Sequence, residues 1–232
     1  MAPKLLLNLL LLALLIGACA SEAPPPTTSP PAPQDTLTAR AEPYRIHAKK
    51  HLISGYPARV DSGRVHFVVE IPAGTQAKWE VDKATGDLAW ERRNGKPRIV
   101  QYLGYPGNYG MVPQTLLPKS AGGDGDPLDA LLLGDAQPRG AVIPVRIIGV
   151  LRLLDGGEQD DKLIAVGTSG PFAQLQTWAQ LQTEFPGVAE IVATWFTHYK
   201  GPGEMVSQGY GDERVARSLL ETAVAAYAAS TN

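Results

Sequence analysis

The sequence predicts an α+β fold built on a closed or nearly closed antiparallel sheet, and three observations predict it. Short β-branched and apolar runs, separated by turns rich in Gly, Pro and Asp, fill the middle of the chain. Apolar residues at three- and four-residue spacing appear late, near the C-terminus. Strands first and helices last argue for segregated layers rather than alternating βαβ units. The chain has 232 residues, 19% charged and 44% hydrophobic, which are globular values. Its 21 basic and 23 acidic residues leave a net charge of −2, so nothing holds a nucleic-acid backbone and no such partner is expected. Its one cysteine excludes an intrachain disulfide and a cysteine-based zinc site.

Residues 1–18 read as a lipoprotein signal peptide. Lys4 precedes an apolar run from Leu5 to Ile16 that only Asn8 interrupts. A membrane-spanning helix needs roughly 20 apolar residues, so this shorter run suits a secretory h-region. Gly17 and Ala18 directly before Cys19 resemble a bacterial lipobox, which implies cleavage before Cys19 and lipidation of its thiol and amine. The plain alternative is a buried helix with an inert cysteine. Ala20, not Asp, follows the cysteine, which points to export and anchoring at the periplasmic side of the outer membrane. Residues 19–43, rich in Pro, Ala, Thr and Ser, read as a stalk with polyproline II character. The folded domain is expected over 44–232, with membrane contact only through Cys19.

Residues 64–71 are β-branched and apolar, are closed by Pro72, and read as a strand. Residues 78–82 alternate, 83–87 have hairpin-turn chemistry, and 88–92 form the return strand. A short apolar run covers 128–133 and a long one 141–154, with Pro144 placing the start of the latter on an edge or bulge. Another strand spans 162–166. Val188, Ile191, Val192, Trp195 and Tyr199 mark a helix with Gly201 as its C-cap. A second helix is expected over 212–229, with Val215, Leu219, Val224 and Tyr227 on its apolar side.

The chemistry concentrates in Asp124-Gly125-Asp126-Pro127-Leu128-Asp129. Like charges this close raise one another's pKa unless a cation sits among them. Oxygen-only donors suit a hard ion such as Mg²⁺ or Mn²⁺. An EF-hand is excluded because Leu128 stands where an oxygen ligand belongs and Asp129 where the glycine belongs. Leu128 also spoils an aspartyl-phosphate motif. A second acidic group, Asp155 through Asp160 and Asp161, reads alone as a polar hairpin loop. Glu70 and Glu80 lie on early strands, and Lys78 shares a sheet face with Glu80. Arg92, Tyr105, Tyr109, Tyr199 and Lys200 add cations and phenols suited to phosphate oxygens.

The ordered series Val69-Glu70-Ile71-Pro72, Lys78-Trp79-Glu80, Tyr105-Pro106-Gly107-Asn108-Tyr109-Gly110, Asp124 to Asp129, Asp155, Asp160-Asp161-Lys162 and His198-Tyr199-Lys200 resembles soluble family I inorganic pyrophosphatase, from about residue 56 to 228. The resemblance implies a five-stranded OB-like closed β-barrel with flanking C-terminal helices. It implies Mg²⁺-dependent hydrolysis of inorganic diphosphate to two phosphates by a metal-activated water, without a covalent intermediate, with Mn²⁺ a possible substitute. By the same resemblance, Asp124, Asp129 and Asp160 hold tightly bound metals, and Asp155, Glu70 and Glu80 serve substrate-borne ones. Asp126 is the general base, and Arg92, Lys78 and Tyr109 complete the catalytic set. Lys78, Arg92, Tyr105, Lys162, Tyr199 and Lys200 bind substrate. Trp79 replaces the usual Tyr, and 94–99 and 117–122 are longer than in compact bacterial members, which leaves the contacts of the expected homo-oligomer open. Two rival readings remain at this point: an envelope hydrolase of another phosphoanhydride, and a non-catalytic metal- or phosphate-binding lipoprotein.

Overall fold

A computed structural model describes residues 43–231, which fall within one compact unit, 39–232. The expected signal peptide, Cys19 and the stalk up to residue 42 lie outside the described residues. In chain order the strands begin with β1 (Arg45–Ile46), β2 (Val65–Ile71), β3 (Trp79–Val81), β4 (Leu88–Trp90), β5 (Arg92–Arg93) and β6 (Lys96–Pro97). They continue with β7 (Asn108–Met111), β8 (Asp129–Leu133), β9 (Val142–Asp155), β10 (Glu158–Gln159) and β11 (Lys162–Val166). Helices α1 (Trp178–Glu184) and α2 (Val188–His198) follow, then β12 (Met205–Asp212) and α3 (Glu213–Ser230).

The long apolar run becomes β9, whose 14 residues are enough to serve several neighbours. β2 pairs with β9 and with β7, β7 with β8, β8 with β11, and β11 with β9 again, so five strands pair in a cycle. The β8–β11 step is parallel, which makes the sheet mixed rather than antiparallel. Two reversals of direction, into β9 and out of it, return β11 alongside β8. Pro144 lies beyond the end of β11, which stops opposite Arg146, so its missing N–H costs no pairing on that side. β1, β4 and β3 form a separate three-stranded ribbon, and β5 and β6 a two-stranded one.

Three apolar clusters form the core. One joins Ile148, Leu151 and Leu153 of β9 to Trp178 and Leu181 of α1 and Val192, Trp195 and Phe196 of α2. A second packs Ala216, Leu220 and Ala223 of α3 on Phe67, Val69 and Val150. The third seats the β3–β4 ribbon on Val68 and Met111. Val188, Val192, Trp195 and Tyr199 of the first expected stripe and Leu219 and Val224 of the second pack on the core. Ile191 and Val215 are exposed, and α3 buries small alanines that let it lie close to the sheet. β12 separates α2 from α3, so not every strand precedes the helices; it pairs along β9 and is mostly exposed, which removes its apolar signal. α1 also escaped the periodicity, although Thr177 and Gln180 form a capping box at its start. Among the described residues no helix is long and apolar enough to cross a membrane.

Candidate active site

A β-bulge sets the first acid. The β2–β7 register shifts between Val69 and Ile71, which leaves Glu70 as the extra residue and turns its side chain inward. Glu70 is 6% exposed and accepts the Val81 N–H at 2.9 Å. Arg139, lying over the Trp79 ring, donates to the Glu70 carbonyl at 2.9 Å and holds the bulge from behind. Burial pushes the Glu70 carboxyl up to about 7, with Asp129 and Glu80 adding to the rise against Lys78.

The Asp124–Asp129 loop is pinned at both ends. Gly125 takes a φ of 85°, and its N–H donates to the Leu117 carbonyl at 2.8 Å. The Asp126 N–H donates to Asp124 Oδ1 at 2.8 Å. Leu128 is fully buried, and its N–H reaches Thr115 Oγ1 at 2.8 Å. That anchor delivers Asp129 to the first position of β8, where Tyr109 of the paired β7 donates its hydroxyl to Asp129 Oδ2 at 2.6 Å. The Gly156-Gly157 turn, with φ of 57° and 97°, folds β10 back on β9 and brings Asp155 and Asp160 to the same side.

These acids meet in one cavity of about 480 Å³, lined by Glu70, Glu80, Asp124, Asp126, Asp129, Asp155 and Asp160, together with Lys78, Arg98, Tyr109, Lys162, Tyr199 and Lys200. Asp82 and Lys83 of the β3–β4 turn complete the charged lining, giving eight carboxylates against five cations. Lys162 is buried; its ammonium sits between Asp129, at 2.5 Å, and Asp160. Burial alone would lower its pKa, but the two carboxylates outweigh that and hold it well above the usual lysine value. Lys200 pairs with Asp155, and Lys83 with Asp126. Burial, reinforced by Asp129 and Asp160, raises the Tyr109 phenol far above its ordinary value, so it stays a neutral donor. Burial first and Asp129 second raise Asp124. The ammoniums of Lys78 and Lys162 lie 5.2 and 5.8 Å from the centre of the Tyr109 ring.

Two expected residues do not line the cavity. Arg92 lies on the exposed β5, donates to the Gly95 carbonyl and covers the Tyr44 ring at 5.1 Å. Arg98 lines the cavity instead. The reason is the Asn94-Gly95 turn, whose φ values of 53° and 76° make a tight two-residue hairpin. The returning strand sets Arg98 beside Lys78: the Lys78 N–H donates to the Arg98 carbonyl at 3.1 Å. The Arg98 guanidinium also grips Glu91 at 2.8 and 2.9 Å. Asn-Gly between Arg92-Arg93 and Lys96-Pro97 was the available signal for this hairpin. Tyr105 is buried behind Tyr109, ring centres 5.1 Å apart, and packs on Trp195, which stacks on Tyr199. That aromatic row ties the end of α2, and so Tyr199 and Lys200, to β7. His198 turns to the Thr194 carbonyl and does not line the cavity.

The donor chemistry fits a hard divalent cation: all the acids are carboxylates, they outnumber the cations, and no Cys or His lines the cavity. Among the described residues no three such groups are yet drawn into a ready-made cage. Lysine ammoniums instead occupy Asp126, Asp129, Asp155 and Asp160.

A family model described as inorganic pyrophosphatase matches residues 67–228. Over 166 residues the chain is 35% identical to soluble inorganic pyrophosphatase 1, chloroplastic, of Chlamydomonas reinhardtii, covering 67% of this chain and 59% of that one. Over 180 residues it is 33% identical to the inorganic pyrophosphatase of Nostoc sp., covering 75% of this chain and 98% of that one. The fold is similar to that of an N-terminal domain-truncated vacuolar soluble pyrophosphatase of Trypanosoma cruzi in complex with PPi, with TM-score 0.72, 25% identity and 79% coverage of each chain.

Proposed function

This chain belongs to the inorganic pyrophosphatase family, and from that premise we propose how its residues hydrolyse inorganic diphosphate to two phosphates. What carries the reading is the convergence of seven motif carboxylates and three motif cations on one cavity. A divalent cation, Mg²⁺ first and Mn²⁺ as substitute, would neutralise phosphate oxygens and lower the pKa of a bound water from ~15.7 towards ~7. Asp124, Asp129 and Asp160 would hold the resident ions, and Asp155, Glu70 and Glu80 those that arrive with diphosphate. Asp126 takes the proton from the attacking water. Lys78, Arg98, Lys162, Lys200 and Tyr199 bind phosphate oxygens and offset charge on the leaving phosphate. Tyr109, a neutral donor, orients Asp129. No Ser, Cys or His lines the cavity, which favours direct attack by water over a covalent phosphoryl-enzyme.

Phosphate release from diphosphate by the purified full chain, with and without Mg²⁺, tests the reading. Release that requires Mg²⁺ is expected, and no release at saturating Mg²⁺ overturns it. The five-strand pairing cycle supports assignment of the sheet as an OB-like closed barrel. The Leu5–Cys19 sequence pattern supports export and anchoring through Cys19 to the periplasmic side of the outer membrane. Mass spectrometry of the native N-terminus should find a lipidated Cys19; an unmodified one contradicts the anchor. Assembly as a homo-oligomer is part of the same proposal and is read by sedimentation.

A further inference from the structure

Lys83 has no role in the mechanism above, yet it reaches the residue that mechanism needs free. Its turn is held in place by its own hydrogen bonds and by neighbours from other segments. The Asp82 carboxylate accepts the N–H groups of Ala84 and Thr85 at 2.9 and 3.2 Å. Arg45 holds Asp82 at 2.9 Å and Thr85 at 3.0 Å. Gly86 lies against His51 with no room for a Cβ, and Leu52 donates to the Gly86 carbonyl at 3.1 Å. The backbone is therefore set, and the four-carbon side chain of Lys83 is the part that can move.

That side chain is 61% exposed, and its ammonium rests on Asp126. The other paired lysines differ. Lys162 is buried between two carboxylates and can leave them only when a divalent cation takes its place. Lys83 has one carboxylate partner among the described residues and a solvated alternative, so the exchange is cheap. An ammonium on Asp126 Oδ1 keeps that oxygen from accepting a proton from water. The cover must lift when the site fills, and a highly charged anion is what an exposed ammonium follows.

Resting on the diphosphatase reading, we propose that Lys83 is a further substrate-binding residue: it caps Asp126 in the unloaded site and transfers to a phosphate oxygen when diphosphate enters. The cap also competes with divalent cations for the acids beside it. The test is Lys83→Met in the full chain, read by steady-state kinetics and by calorimetric titration of Mg²⁺ alone. Loss of a charged contact made only to substrate should raise KM for diphosphate about tenfold, with a smaller change in kcat. Loss of the competing ammonium should tighten Mg²⁺ binding about threefold in the absence of diphosphate. Lys83→Arg should restore KM. If either KM or Mg²⁺ affinity stays at the wild-type value in a variant whose circular dichroism is native, the proposal is wrong. Failure of the wild-type chain to release phosphate would instead overturn the diphosphatase reading itself.

Discussion

Asp124 and Asp126 are two residues apart and differ in environment. Asp124 is raised by burial and by Asp129, and it anchors the loop through the Asp126 N–H. The Asp126 carboxylate makes no such backbone bond and faces the cavity under Lys83. Asp126→Asn should therefore leave Mg²⁺ affinity and thermal stability near wild type while kcat falls about 100-fold or more. A kcat within tenfold of wild type rules out the base. The two arginines give a sharper comparison. Arg98→Ala should cost about 2 kcal/mol in kcat/KM, the loss of a charged hydrogen bond to phosphate. Arg92→Ala should leave kcat/KM nearly unchanged, because Arg92 packs on Tyr44 instead. The opposite ranking would restore Arg92 to the site. The chemical types of these residues were legible in the sequence; which arginine faced inward was not, since a two-residue turn decides it.

Among the elements, β9 carries the most. It pairs with β2, β10, β11 and β12 and supports α1 and α3. Gly149 makes that crowding possible: a Cβ there would stand 2.8 Å from Trp178 and 3.0 Å from the Gly211 carbonyl. Gly149→Ala should destabilise the fold by about 1–3 kcal/mol, the range for overpacking, measured as a lowered midpoint in urea. An unchanged midpoint would mean that α1 shifts freely. Removing the α1 cap with Thr177→Ala should cost about 1 kcal/mol by the same assay, with little effect on turnover, because no residue of α1 lines the cavity. Strands β2, β3, β4, β8, β9 and β11 could be read from alternation or apolar runs. β7 showed only as a motif, while β12 and α1 left no periodic trace: one is an exposed ribbon, the other two turns long.

At the scale of the molecule, the buried acids link stability to pH and to metal. Glu70 holds its proton up to about 7 in the folded chain, against an ordinary 4.5. The folded state thus binds this proton more tightly than the unfolded one, and stability falls as pH rises between those values. Its share is on the order of 3 kcal/mol. In chelator, the melting temperature should drop from pH 5 to pH 8, and Glu70→Gln should flatten that drop. Parallel profiles for the two proteins would discount Glu70. Mg²⁺ should reverse the trend, adding ~2.7 kcal/mol at a hundred times its dissociation constant.

The sequence by itself determined the donor set, the order of the motifs and the class of chemistry, because carboxylate, ammonium and phenol keep their character wherever the chain takes them. The tertiary structure decided which of them meet. A bulge turns Glu70 inward, the Asn94-Gly95 hairpin exchanges Arg92 for Arg98, and a fixed turn lays Lys83 on Asp126. A change of one residue in register reverses the direction of a side chain, and register here is set by partners tens of residues away, where local periodicity carries no information.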